Sequence, residues 1–567
     1  MGVLAQSQPK AAVWHQPSFI WLGFGLVAIV SVFTLTPVLF IITNSFNTAA
    51  PNENWRFGFE GWREAFGSPR TLNAIGYTFL LNIRSFVGLA IAFLFSWLLT
   101  RVRIPLRNFI EFSLWIAYFL PSLPLALSWI LLLDPNYGLI NQLIQFLGFR
   151  INIYSLYGIF WIHLTATTIP IMTILLAPVL RQIDASLEEA ARMCGAGSWQ
   201  TFRRVLIPLL APALFTVLLA ALIRGLEAFQ VELLLGKPIG VYVYATRIYD
   251  LIQWEPPQFP QAMALSTLFL GVLFLLALFY QRYTSKRSFA TVSGRGVSFR
   301  LMDMGRARYA LSALLIVFVI IAVYLPLAIL IIGSLMKLFG FFSIKDPFST
   351  RHWLLVLHDP VFLSAVRNSI VLGIGTAATG LLCYCLLGYA VVRTNIIGKP
   401  VINLLIWLPW AIPGILLGVA FLWLFLSARF FSPLYGSYLG LLLVLLIKEM
   451  PIGVHMTKTA FVQISEELEQ VGRVCGANWF YTFRRIVLPL VSPVLVSIFA
   501  IVFMGAVRDI DTIILVGTAS TRPLSLLMME YSMAGEMQAA SILGVILSLF
   551  AIVIALISRK IGLRSAA

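Results

Sequence analysis

The stretch "EEAARMCGAGSWQTFRRVLIPLLAPAL", residues 188–214, returns as "ELEQVGRVCGANWFYTFRRIVLPLVSPVL", residues 467–495. Setting Gly195 on Gly476 gives an offset of 281 positions, close to half of the 567-residue chain. At that offset Leu187, Glu188, Arg192, Cys194, Gly195 and Ala196 meet identical residues, as do Thr201 to Arg204, Pro170, Pro208 and Pro212. Such agreement marks an internal duplication. In the first copy Ile183, Leu187, Ala190, Ala191 and Cys194 share one helical face; in the second, Ile464, Leu468, Val471, Gly472 and Cys475 do. Asp184 and Ser465 are expected N-caps, and Gly195 and Gly476 can take the left-handed geometry that stops a helix. A second amphipathic turn follows, with Trp199, Phe202 and Val205 or Phe480, Phe483 and Ile486, before a new apolar helix near Pro208 or Pro489. Each copy therefore reads as a short helix, a glycine turn and a second short helix. A helix that only anchors the chain to lipid headgroups has no need of this spacing twice. A helix that docks a soluble partner explains it better.

Around these segments the chain is built for lipid. It is 60% hydrophobic and only 11% charged, whereas soluble domains carry about 25% charged residues. Apolar runs long enough to cross a bilayer recur near residues 18–44, 73–100, 108–133, 154–180, 206–226, 261–281, 309–334, 367–392, 402–427, 436–460, 488–507 and 538–558. The expected fold is an all-α polytopic membrane protein of about twelve transmembrane helices in two homologous six-helix halves. The halves should occupy residues 1–281 and 309–567, with the repeated segments at 183–208 and 464–489 and a basic linker at 282–308. Six spans per half give both halves the same orientation, so a pseudo-twofold axis should run along the membrane normal.

A net charge of +17 could suggest nucleic acid, but its distribution argues against that. Arg101, Arg103 and Arg107, the repeats, the linker and Arg559, Lys560 and Arg564 fall in alternate loops. This pattern places both termini, the linker and both repeats in the cytoplasm. Cys194 and Cys475 then lie in a reducing compartment, and Cys383 and Cys385 are two apart on one helix, which disfavours a metal pair.

Glu189, Ala190, Ala191, Gly195 and Val205 to Pro208 resemble the EAA loop of type I ABC importer permeases. The second copy keeps Glu469, Gly476 and Ile486 to Pro489, but has Gln470, Val471 and Gly472 where E-A-A would stand. The resemblance implies a methionine-permease-like type I fold, in the bacterial inner membrane, with two permease subunits fused in one chain. It also implies that Glu188, Glu189, Ala190, Ala191 and Gly195, with Glu469, Gln470, Gly472 and Gly476, form coupling helices. These would dock two copies of a cytoplasmic ABC ATPase, which would bind ATP and Mg. A periplasmic or lipid-anchored solute-binding protein would deliver the substrate. No phosphate-binding G-x-x-x-x-G-K-[ST] loop occurs in the chain, so it is expected to be a transport subunit without its own ATPase chemistry and without a bound cofactor.

"ALIRGLEAFQVELLLGKPIGVYVYATRIYDLI", from Ala221, resembles the corresponding region of fused ferric-iron permeases. Related permeases for aminoethylphosphonate, sugar phosphates, polyamines and thiamine share much of it, so ferric iron is the expected substrate with those as alternatives. A secondary transporter of the major-facilitator type also has two parallel six-span halves, but "RVRIPLRNF" lacks its characteristic loop. Arg224 and Glu227 close the fifth span, and Arg508, Asp509 and Asp511 the eleventh. Charges at such depth line a pathway or gate, or pair with each other. Single histidines at His163 and His455 read as packed or hydrogen-bonded residues. "LPSLPLALSW" from Leu120 and "LPWAIPGILLG" from Leu408 should break helices at matching places.

Overall fold

A computed structural model describes residues 17–49, 54–181, 185–285, 301–394 and 398–565. Among them the regular structure is helical, with three isolated β-bridges. Among the described residues nine helices are long and apolar enough to cross a membrane: Pro69–Arg101, Leu156–Arg181, Arg203–Leu226, Phe259–Tyr280, Ala307–Ser334, Pro360–Arg393, Tyr438–Gln463, Trp479–Arg508 and Met537–Ile557. The helix Pro17–Asn44 matches the first expected span.

The two remaining expected spans, 108–133 and 402–427, are not straight. Arg107–Phe119 and Ser122–Leu133 meet at 104°, and Lys399–Trp410 and Gly414–Ser427 at 105°. Proline explains both corners. Pro121 and Pro413 have no N–H and push the preceding residue out of the helical region, and Leu120 and Ile412 are extended, with ψ of 132° and 112°. Past each corner the chain is apolar on every side, which suits a helix surrounded by protein. Ser122–Leu133 and Gly414–Ser427 are accordingly buried along almost their whole length.

The halves clasp one another. Pro17–Asn44 packs on Lys399–Trp407 and Gly414–Ser427 of the second half, and Leu325–Ser334 packs on Ser122–Leu133 of the first. Two further buried helices, Tyr244–Gln253 and Leu524–Ala534, lie between the fifth and sixth spans of each half. The helix Phe259–Ser285 continues past residue 281, and most of the expected linker lies outside the described residues. Its far end is pinned to the first half: the N–H of Met302 donates to Arg101 at 2.8 Å, and that of Arg103 to Met302 at 3.1 Å.

Candidate functional site

The two repeats fold alike. Ala185–Met193 and Glu467–Val474 are the first short helices, and Ser465 Oγ accepts from the Glu467 N–H at 3.3 Å as its N-cap. Ile183 and Asp184 lie outside the described residues, and of Glu188 only the backbone is described. Gly195 and Gly476 both have φ of +81°, where a side chain would be strained. The N–H of Ala196 reaches the carbonyl of Ala191, and that of Ala477 the carbonyl of Gly472, each at 3.0 Å, closing the same C-terminal motif. Ser198–Thr201 and Trp479–Thr482 follow, each running through one π-helical turn into the long helices Ile207–Leu226 and Leu488–Arg508.

The first helices turn apolar side chains outward. Leu187, Leu468 and Val471 are exposed, and the equivalent Met193 and Val474 are each 88% exposed. Glu189 and Gln470 are exposed too. Gly472 departs from the expected shared face and turns inward, where an added Cβ would meet Thr482 Oγ1 at 3.0 Å and Ile486 Cδ1 at 3.3 Å.

Glu469 also faces the bundle. Arg393, at the end of Pro360–Arg393, places Nε 3.1 Å from Glu469 Oε1 and holds Glu466 at 3.0 Å. Tyr389 donates its hydroxyl to Glu469 Oε2 at 2.8 Å, and Trp479 Nε1 donates to Tyr389 at 3.0 Å. Glu469 is therefore a buried tether of the second repeat. In the first half Arg101, at the end of Pro69–Arg101, is buried as Arg393 is at the end of Pro360–Arg393.

The long helices carry the remaining candidates to the centre. Arg224 and Glu227 form the i,i+3 pair that their spacing allows, at 3.1 Å. Half of the Arg224 side chain stays accessible, against 15% for Glu227. Arg508 instead crosses to the first half, donating to the Tyr118 carbonyl at 2.9 Å with its guanidinium 5.8 Å from the Tyr118 ring centre. Asp509 pairs with Lys448, and Lys448 also donates to Thr512 at 2.9 Å. Asp511 accepts from Gln230 Nε2 at 2.9 Å, and Ser122, at the corner of the first broken span, donates to Gln230 Oε1 at 2.7 Å. Glu449 is buried beside Gly505, its carboxylate filling the space a side chain there would take.

All five expected charges thus gather where the halves meet. Sequence reading missed Lys448, Glu449, Gln230 and Ser122. The first two were detectable as a Lys–Glu pair inside an apolar span; Gln230 and Ser122 carry no charge and gave no such signal.

His163 is bonded, as expected, to a partner the sequence did not suggest: its Nε2 lies 2.8 Å from Oε1 of the fully buried Glu232. His455 packs edge-on against Trp407. Among the described residues no three His, Cys, Asp or Glu side chains stand together as a metal site.

The sequence matches the family described as the binding-protein-dependent transport system inner membrane component twice, over residues 84–290 and 369–564. A Haemophilus influenzae protein named as ferric transport system permease FbpB 1 is 30% identical over 366 residues, covering 62% of this chain and 55% of that protein. The ferric transport system permease FbpB of Actinobacillus pleuropneumoniae is 26% identical, covering 67% and 54%. The chain thus spans about half the length of these two relatives. A second H. influenzae protein, Fe(3+)-transport system permease FbpB 2, is 23% identical over 85% of this chain and 88% of its own length. A solved bacterial ABC transporter that imports the polysaccharide alginate aligns with 47% of this chain at 19% identity and a TM-score of 0.39.

Proposed function

We propose, because this chain belongs to the family of binding-protein-dependent transport system inner membrane components, that it supplies both membrane halves of an ABC importer. The observation that carries the proposal is the pair of repeats. Each presents an exposed, partly apolar helix of fixed geometry at the end of a long helix whose other end reaches the centre of the bundle. Two ATPase subunits, binding ATP and Mg, would each seat one of these helices. Their closure would act on Ile207–Leu226 and Leu488–Arg508 as levers, which is how a local docking event reaches a distant gate.

In this reading both termini, the linker and both repeats face the cytoplasm, consistent with the basic loops. Glu189, Ala190, Ala191, Gly195, Gln470 and Gly476 shape the docking surface, while Glu469 and Gly472 hold the second helix to the bundle. The passage lies between the halves, where Arg224, Glu227, Arg508, Asp509 and Asp511 converge with Lys448 and Glu449. The family match over both halves removes the major-facilitator reading.

The substrate is ferric iron, delivered by a periplasmic or lipid-anchored binding protein. The ferric transport permeases among its relatives support this, as do the carboxylates of the cluster, since Fe³⁺ is a hard cation that favours oxygen donors. A passage needs only weak, releasable contacts. One observation favours a second reading: Arg224, Lys448 and Arg508 lie in the same cluster, an arrangement that suits a phosphonate or sugar phosphate. The deciding experiment is ATPase activity of the reconstituted transporter with its binding protein loaded with iron, aminoethylphosphonate or sugar phosphate. Iron-loaded protein should stimulate; stimulation by an organic anion alone would transfer the assignment to that anion.

A further inference from the structure

Gln230 and Asp511 are 281 positions apart, the offset that relates the two halves, and they are hydrogen-bonded to each other at 2.9 Å. A residue that touches its own symmetry mate lies on the symmetry axis. The pair therefore marks where the pseudo-twofold axis crosses the boundary between the halves. Its sequence neighbours Phe229, Val231, Ile510 and Thr512 are buried, whereas Gln230 and Asp511 are only half-buried. The pair is a partly accessible polar contact between the halves, flanked along each chain by buried residues.

The orientation of the Gln230 amide follows from its partners. An ionised Asp511 only accepts, so Gln230 must turn Nε2 toward it, and Oε1 is left to accept from Ser122. One amide thus ties together the corner of the first half's broken span and the second half. On the opposite side Gly414 opens the second broken span's inner helix, and a Cβ there would stand 2.9 Å from Asp511 Cβ. Both corners press on this pair.

The pair also sits at the far end of the levers. Ile207–Leu226 has 20 residues and Leu488–Arg508 has 21, so each spans roughly 30 Å from its repeat to the axis. Near the far ends of both levers the two halves are bridged by this pair.

We propose that the Gln230–Asp511 bond is the latch that closes the passage on the side away from the repeats. This rests on the importer reading given above. The identity of the mates is the device: two carboxylates facing across the axis would repel, two amides would bond without a charge to set their direction, and one of each gives a closed pair that the levers can part.

Two measurements test it. In a chain with its four cysteines replaced, Gln230→Cys and Asp511→Cys should form an oxidative cross-link in resting membranes. It is read as halves that stay joined after cleavage at a protease site placed in the 286–300 linker. The link should be lost when the complex is trapped with its binding protein and a non-hydrolysable ATP analogue. Absence of the link at rest, or its persistence in the trapped state, would overturn the latch. In the complex with its ATPase subunits, Gln230→Glu should raise ATPase activity without binding protein roughly tenfold, a typical scale for coupled neighbours. Adding Asp511→Asn, which exchanges the two side-chain types across the axis, should remove most of that excess; a double variant as leaky as the single one contradicts the proposal. If the chain assembles with no ATPase, the importer reading fails, and the resting cross-link still decides whether the pair closes the axis.

Discussion

Gly195 and Gly476 share a φ of +81°, the same capping bonds and the same π-helical exit, although only about half of their neighbouring residues are alike. Gln230 and Asp511, related by the same offset, share neither charge nor hydrogen-bonding role, and Glu227 corresponds to Arg508. Both regions descend from one pattern, so the difference reflects what each must do. The repeats face outward and need the same shape twice. The axis faces itself, where identical charges would meet their own copies, and so its residues must differ for the halves to pair. Shape is duplicated where the short helices face outward, and chemistry diverges where the halves touch.

The largest test of that contrast lies beneath the second repeat. Arg393→Ala would leave Glu469 buried without its cation, at a cost of about 3–5 kcal/mol. Thermal unfolding of the purified chain should register the loss, and replacing Glu469 together with Arg393 by apolar residues should recover much of it. A mild effect of Arg393→Ala would mean that packing, not the ion pair, holds this helix.

At the axis, Gly414→Val would push a side chain onto Asp511, Thr512 and Lys448, where even a Cβ comes within 2.8–3.0 Å. Overpacking of this kind costs about 1–3 kcal/mol. Ser122→Ala, at the matching corner, removes one neutral hydrogen bond and should cost about 1 kcal/mol. The two unfolding temperatures should differ in that order; equal shifts would argue that the corners are equivalent after all.

The most symmetric effects belong to the repeats. Gly195→Ala and Gly476→Ala each force a side chain into the left-handed region, at about 1–2 kcal/mol. Equal shifts in unfolding temperature are expected, with transport lost beyond what stability explains. Glu189→Gln should leave unfolding within about 0.5 kcal/mol, as for other exposed sites, while weakening the link between ATP hydrolysis and transport. Changes at Gln470 should be milder, because that copy already lacks the carboxylate.

Much of this was legible from local rules. Apolar runs gave the spans, the repeated glycines gave both turns, and Arg224 to Glu227 was readable as an i,i+3 pair. Prolines announced the corners at Pro121 and Pro413, but not that each would bend the chain by more than 100° and send the following helix into the core. Long-range partners were not legible. Arg393 and Glu469 are 76 positions apart, and Gln230 meets Asp511 only through the assembled axis. Lone uncharged residues such as Ser122 and Gln230 carry no pattern of their own, and only the fold gives them a role.

The central claim is that this one chain contributes both membrane halves. Native mass spectrometry of the transporter, purified through a tag on this chain together with its ATPase, tests it directly. The account predicts one copy of this chain bound to two ATPase subunits, one at each repeat. A complex holding two copies of the chain, or a single ATPase that remains single at saturating ATPase concentration, would contradict it.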